Sequence, residues 1–348
     1  MQLPRPNRST IALGTGGALA VAAGGALLQR RHLASIAADP LNERLSAPPH
    51  GRPLRVRSPD GTTLHIEIFG EDGAPAIILA HGWTEQLSYW TLVVPRLVER
   101  GFRVAAYDLR GHGQSSEAAS GDYSVARFGD DLEAVIGVVC ADGERPLVAG
   151  HSLGAMSIVA WAEHHQVSAR VRAAALLNTG VGALIAESLI VPVPWLAQAL
   201  NRTPLSKGVL SARGGVPKFS TPISSAMVHY TAFGPTATPA LVAFYERMLV
   251  ACPPDVRAGV GLALTEMDLN HAVPQLTVPT LVMAGANDRL TPPVHAERIA
   301  AALPDLHRLI VLPQTGHMGP LERPAEVAEA LLALAERTAA PAGAAVVV

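Results

Sequence analysis

The chain has 348 residues, 49% of them hydrophobic and 16% charged, enough apolar material for one large α/β core with an insertion. A formal net charge of −2, without a stripe of Arg or Lys, supplies no field for a polyanion and argues against a nucleic-acid partner. The two cysteines, Cys140 and Cys252, allow at most one intramolecular disulfide and exclude a disulfide-built scaffold, while leaving the redox compartment open.

From Thr10 to Leu28 the sequence is uncharged and mostly Ala, Gly, Leu, Val and Ile, long enough to cross a bilayer as one helix. Arg5 and Arg8 precede it and Arg30 and Arg31 follow, so flanking charge sets no orientation. Residues 1–33 are read as an N-terminal segment that anchors the protein to a membrane through residues 10–28. The alternative is export with signal-peptide cleavage near Ser35-Ile36-Ala37, against which the Arg30-Arg31-His32 cluster stands. Residues 34–52, polar and carrying Pro40, Pro48 and Pro49, form a linker or a packed collar.

A hairpin pattern comes next: Leu54 to Arg57, a turn at Asp60-Gly61, and the alternating stretch Thr62 to Phe69. Ala76 to Ala80 reads as a buried strand that runs into His81-Gly82-Trp83, a turn that presents backbone N–H groups. Arg103 to Tyr107 is a further strand before Asp108-Leu109-Arg110-Gly111-His112. The run Leu147 to Ala149 empties into Gly150-His151-Ser152-Leu153-Gly154. A serine on a sharp strand-to-helix turn needs residues without bulk two places before and two after, which Gly150 and Gly154 supply. Ala173 to Leu177 is the next strand and ends at Asn178-Thr179. Pro279 to Ala284 leads into Gly285-Ala286-Asn287-Asp288, and Arg308 to Leu312 into Gly316-His317-Met318.

Helices are expected near 88–100, 124–141, 153–165, 293–303 and 324–337. Their alternation with strands implies a mainly parallel sheet with helices on both faces and a binding site beyond the C-terminal strand ends. Residues 180–275 break the alternation and are read as a helical cap; residues 338–348 close the chain as a tail.

Ser152, Asp288 and His317 occur in that order, each in the loop after its own strand, and this arrangement resembles the α/β-hydrolase fold family. Asp108 to Ser115, Pro292-Pro293 and Gly316 to Glu322 agree with the family's habit. The resemblance implies an eight-stranded, mainly parallel sheet flanked by helices, with the core in residues 53–179 and 276–337 and the cap in 180–275. It further implies a catalytic triad: Ser152 as nucleophile, His317 as base, and Asp288 as the acid that orients the base. The backbone N–H groups of Trp83 and Leu153 are the candidate oxyanion hole. The family's other acid position, after Ala173 to Leu177, holds Asn178-Thr179 and no carboxylate, which favours Asp288; Asp268 is a remoter candidate. No metal or organic cofactor is implied, and no residue cluster has metal-ligand spacing.

The activity implied is hydrolysis of a carboxylic ester through an acyl-enzyme. The same triad serves carbon–carbon hydrolases, cofactor-free haloperoxidases, thioesterases and acyltransferases, and the motifs do not separate these; a low-turnover ligand-binding module is the alternative from another class. Epoxide hydrolases and haloalkane dehalogenases of this fold use an aspartate at the elbow, so Ser152 argues against both. The apolar cap points to a lipid-like or otherwise apolar acyl group, with Trp83, Trp90, Trp195, Met227, Phe244 and Met318 as candidate pocket residues. His81 and His112 are expected to support their turns, His151 to contact structure, and Asp108 and Arg110 to brace a loop.

Overall fold

The computed structural model describes residues 8–189, 208, 213–214 and 219–339, and side chains from residue 23 onward. Among the described residues there are eight strands: β1 Arg52–Arg57, β2 Thr63–Phe69, β3 Ala76–Ala80, β4 Arg103–Tyr107, β5 Leu147–His151, β6 Ala173–Leu177, β7 Thr280–Gly285 and β8 Leu306–Leu312. They form one sheet in the order β1-β2-β4-β3-β5-β6-β7-β8. The β1/β2 and β2/β4 pairs are antiparallel and the remaining pairs parallel.

Every residue of β3, β5 and β6 is buried, as uninterrupted apolar runs require of strands covered on both faces. The period of two divides them between two cores: Ile78, Val148, Ala174 and Leu176 face one, and Ile77, Leu79, Leu147, Ala149, Ala173 and Ala175 the other. The edge strands β1 and β8 stay partly exposed and mix charged with apolar residues, which suits a sheet margin.

The helices are α1 Arg8–Ala37, α2 Asn42–Ser46, α3 Val94–Glu99, α4 Val125–Val139, α5 Leu153–His164, α6 Val167–Arg170, α7 Leu184–Glu187, α8 Pro222–Ala232, α9 Pro239–Ala251, α10 Pro254–Glu266, α11 Pro293–Ala302, α12 Gly319–Glu322 and α13 Pro324–Arg337. α4, α5 and α11 cover the first core, and α3 and α13 the second. Helices α7 to α10 lie in the insertion between β6 and β7. The single helix expected near 88–100 is instead a 3-10 turn over Leu87–Leu92 followed by α3. Pro95 explains the break, because proline fits only the first turn of a helix, where its missing N–H is not needed.

Helix α1 meets the insertion through Gln29 and His32, two of its half-buried positions. Gln29 Nε2 donates to the Ser220 carbonyl at 2.8 Å and His32 Nε2 lies 2.8 Å from Ser220 Oγ. Just past the helix, Asp39 Oδ2 accepts the Ala240 N–H at 2.9 Å, one of the donors a helix leaves unsatisfied at its start. Among the described residues no helix is long and apolar enough to cross a membrane. Most of the expected anchor over residues 10–28 precedes the first described side chain.

The loop after β4 is tied down by Arg110, which has no exposed surface. Its Nε and Nη2 each donate to Asp131 of α4 at 2.7 Å, and Nη1 donates to Asp60 of the β1–β2 turn at 2.9 Å. Arg110→Ala leaves the buried Asp131 carboxylate uncompensated and is expected to lower unfolding stability by about 3–5 kcal/mol, measured by urea denaturation.

Candidate active site

Ser152 sits between β5 and α5 with φ 48° and ψ −113°. A left-handed φ costs a residue with a side chain roughly 1–3 kcal/mol and persists only where its surroundings enforce it. The enforcement is visible: the Ser152 N–H donates to the Leu177 carbonyl of β6 and Thr179 Oγ1 donates to the Ser152 carbonyl, both at 2.9 Å. A Cβ on Gly150 would overlap the Gly154–Ala155 peptide, and one on Gly154 would overlap the carbonyls of Ala80 and His81. The glycines therefore let the elbow fold on itself and seat it against the end of β3.

His317 comes after β8 and Asp288 after β7. Their side chains meet with Nδ1 donating to Oδ2 at 2.9 Å, both residues being nearly inaccessible. Burial alone would raise the Asp288 pKa, yet the imidazole charge and hydrogen bond, with those from Thr291, hold it below the ordinary carboxylate value. For His317 burial pushes downward, and the charge and hydrogen bond of Asp288 outweigh it, so the imidazole pKa stands above its usual 6.5. With Nδ1 committed to Asp288, Nε2 is the ring nitrogen left to take a proton. No hydrogen bond joins the Ser152 hydroxyl to His317 among the described residues.

Further residues complete the surroundings of Asp288. Asp288 Oδ1 accepts the N–H groups of Leu290 and Thr291 at 2.9 and 2.8 Å, and Oδ2 accepts the Thr291 hydroxyl at 2.9 Å. Asn178, just past the end of β6, donates through Nδ2 to Asp288 Oδ2 at 3.3 Å and to the Gly316 carbonyl at 3.0 Å. It helps orient the Asp288 carboxylate. Asp268 is exposed and bonded to Asn270, so it takes no part in this cluster.

The turn after β3 is held by two buried imidazoles. His81 accepts the Leu109 N–H on Nε2 at 3.0 Å, and His112 accepts the Thr84 N–H on Nε2 at 3.2 Å. Burial holds His112 down to about 4 and His81 well below the usual value, so both are neutral and able to accept. The backbone N–H groups of Trp83 and Leu153 make no hydrogen bond among the described residues, which leaves two donors beside the elbow.

The candidate pocket residues separate. Met318, 1% exposed, follows His317, and its N–H shares the Ala232 carbonyl of α8 with that of His317. Trp83 packs partly buried against the first core. Trp90 has no exposed surface and packs edge-on to Tyr89 in the second core, and Phe244 is buried there too. Met227 is 65% exposed on α8, and Trp195 lies outside the described residues. Glu322 joins the insertion to the His317 loop by accepting the N–H groups of Gly234 and Gly316 at 2.8 and 2.9 Å, and burial raises its carboxyl to about 7. Among the described residues no group of three or more His, Cys, Asp or Glu could hold a metal ion.

Residues 75–324 match the family model described as alpha/beta hydrolase fold. Epoxide hydrolase A of Mycobacterium tuberculosis is 27% identical over 326 residues, covering 80% of this chain and 95% of that one. Among solved structures, a thermophilic esterase from Thermogutta terrifontis superposes with a TM-score of 0.67 at 22% identity, covering 83% of this chain and 99% of that one. A membrane phospholipase A described as a bacterial virulence factor does so with a TM-score of 0.65 at 22% identity, covering 95% of this chain and 99% of that one.

Proposed function

Because the chain belongs to the α/β-hydrolase fold family and is a hydrolase, we propose that it cleaves carboxylic esters by way of an acyl-enzyme on Ser152. The observation that carries the reading is the strained elbow serine, at φ 48°, in one site with a buried His317–Asp288 pair at 2.9 Å. His317 Nε2 takes the hydroxyl proton as Ser152 Oγ attacks the ester carbonyl, and Asp288 stabilises the imidazolium that forms. The oxyanion then accepts the Trp83 and Leu153 N–H groups. His317 returns the proton to the leaving alcohol and next activates the water that releases the acid. Overall identity to an epoxide hydrolase does not transfer that activity, since Ser152 offers a hydroxyl and not the carboxylate an epoxide-opening ester intermediate needs.

The acyl group is proposed to be apolar. The cap helices carry Ile223, Met227 and Tyr230 exposed along α8, and α1, whose N-terminal run is uncharged from Thr10 to Leu28, docks on the same cap. Residues 10–28 are proposed as the membrane anchor that brings the site to its substrate. The name of one fold neighbour, a membrane phospholipase A, agrees with this, although that likeness by itself shows only the fold.

The test uses the full chain in detergent. A fluorophosphonate probe is expected to modify Ser152, read by peptide mass spectrometry, and p-nitrophenyl ester rates are expected to rise from acetyl to octanoyl. Turnover confined to acetyl and propionyl esters would sink the apolar-substrate part. Release of the expressed protein from membranes by an alkaline carbonate wash would sink the anchor.

A further inference from the structure

Behind the serine, aspartate and histidine lies a second buried acid–imidazole pair that the triad chemistry leaves unused. Glu85 is 3% exposed and His151 has no exposed surface. His151 Nδ1 stands 3.0 Å from Glu85 Oε1 and 3.1 Å from Oε2. At its other end, His151 Nε2 lies 2.8 Å from the His317 carbonyl oxygen. Glu85 Oε2 also accepts the Gly82 N–H at 2.5 Å, and the Tyr89 ring stacks on His151 with centroids 4.7 Å apart. Gly82 is small for a reason: a Cβ there would lie 2.9 Å from His151 Nδ1 and 3.0 Å from both carboxylate oxygens.

The partners fix the hydrogens. A carbonyl oxygen only accepts, so His151 Nε2 carries a hydrogen and donates it to His317. Nδ1 faces a carboxyl group, so a hydrogen sits between them, on the nitrogen or on the oxygen. Either way the imidazole is used at both ends, as a rigid strut from Glu85 to the backbone of His317. Both ends matter for the chemistry. The Gly82 peptide is one residue from the Trp83 N–H, the His317 carbonyl belongs to the base itself, and His151 is covalently next to Ser152. A single chain of contacts thus ties the oxyanion turn and the base loop to the elbow.

We propose that Glu85 and His151 are positioning residues for the Ser152 reaction, holding the oxyanion turn and the His317 loop in register with the nucleophile. This rests on the serine-hydrolase reading. A misplacement of about 1 Å at such a site can cost on the order of 100-fold in rate, with the loss in kcat because the alignment matters at the transition state and not for holding substrate.

The test measures kcat and KM on a p-nitrophenyl ester, and the rate of fluorophosphonate modification of Ser152, with circular dichroism and thermal melts as fold checks. Glu85→Gln keeps an acceptor for Gly82 and a donor for Nδ1, and is expected to stay within about tenfold of wild type. Glu85→Ala and His151→Phe break the chain and are expected to lose about 100-fold in kcat with little change in KM. His151→Gln, which can still donate toward the His317 carbonyl, should recover part of the His151→Phe loss. If the alanine or phenylalanine variant fails to fold, Glu85→Asp carries the test: it keeps the carboxyl group but withdraws it by one methylene, and should again lower kcat. Folded Glu85→Ala, His151→Phe or Glu85→Asp proteins with wild-type kcat and labelling rate, or losses confined to KM, would overturn the assignment. Wild-type protein that the probe leaves unmodified at Ser152 would instead overturn the serine reading, and this one with it.

Discussion

Ser152→Ala is expected to lower kcat on a p-nitrophenyl ester by about 10⁵- to 10⁶-fold, the scale on which a serine hydrolase loses rate when its nucleophile is removed. The substitution should leave the fold intact. The elbow is held by the Ser152 backbone N–H and carbonyl, both bonded at 2.9 Å, and alanine keeps both. The hydroxyl makes no hydrogen bond among the described residues, so its removal orphans no partner. Thermal and urea unfolding should therefore match wild type while hydrolysis collapses, leaving the residual rate that oxyanion donors and binding can supply alone. Equal activity in the two proteins would remove Ser152 from the mechanism and with it the acyl-enzyme.

The features legible in the sequence are those that a short stretch of chain must carry within itself. Strands β3, β5, β6 and β7 could be read as apolar runs because strands covered on both faces must be apolar throughout, and the elbow because only glycines fit beside it. Contacts made only when distant segments meet leave no such local mark. His151 and Glu85 are 66 positions apart, and Asn178 and Asp288 are 110 apart, and nothing in a local run announces either contact. The insertion between β6 and β7 is the least legible part. An apolar residue there can face the core, the pocket or solvent, and Phe244 took the first course while Met227, 65% exposed, took the last. The break in the expected 88–100 helix differs from these, because Pro95 is a local signal and was there to be read.

Asp288→Asn should cost about 10⁴-fold at neutral pH, as loss of the triad acid does where geometry is otherwise kept. The structure gives a specific reason. Asp288 Oδ1 accepts two backbone N–H groups, from Leu290 and Thr291, so the carbonyl oxygen of an asparagine must take that place. Its amide nitrogen then faces His317 Nδ1, which has to accept, and the ring proton moves to Nε2, where the base needs a lone pair. The pH dependence has a definite sign. In the wild type, burial pushes the His317 pKa down, the charge and hydrogen bond of Asp288 push it up further, and the net value exceeds 6.5. The working base is the neutral imidazole, so wild-type kcat/KM should decline as pH falls through a midpoint above 6.5. Asparagine leaves burial without its counterweight, and the residual activity should decline only at lower pH. Stability obeys the same signs. The raised His317 contributes fully below its unfolded pKa and loses its share as pH rises through the folded one, while the lowered Asp288 contributes above its unfolded pKa and loses its share in acid. The variant should therefore be most destabilised between the two unfolded values, about pH 4 to 6.5. An Asp288→Asn protein within tenfold of wild type and with an unshifted acid limb would mean that His317 is polarised by some other group and that the buried 2.9 Å contact is structural.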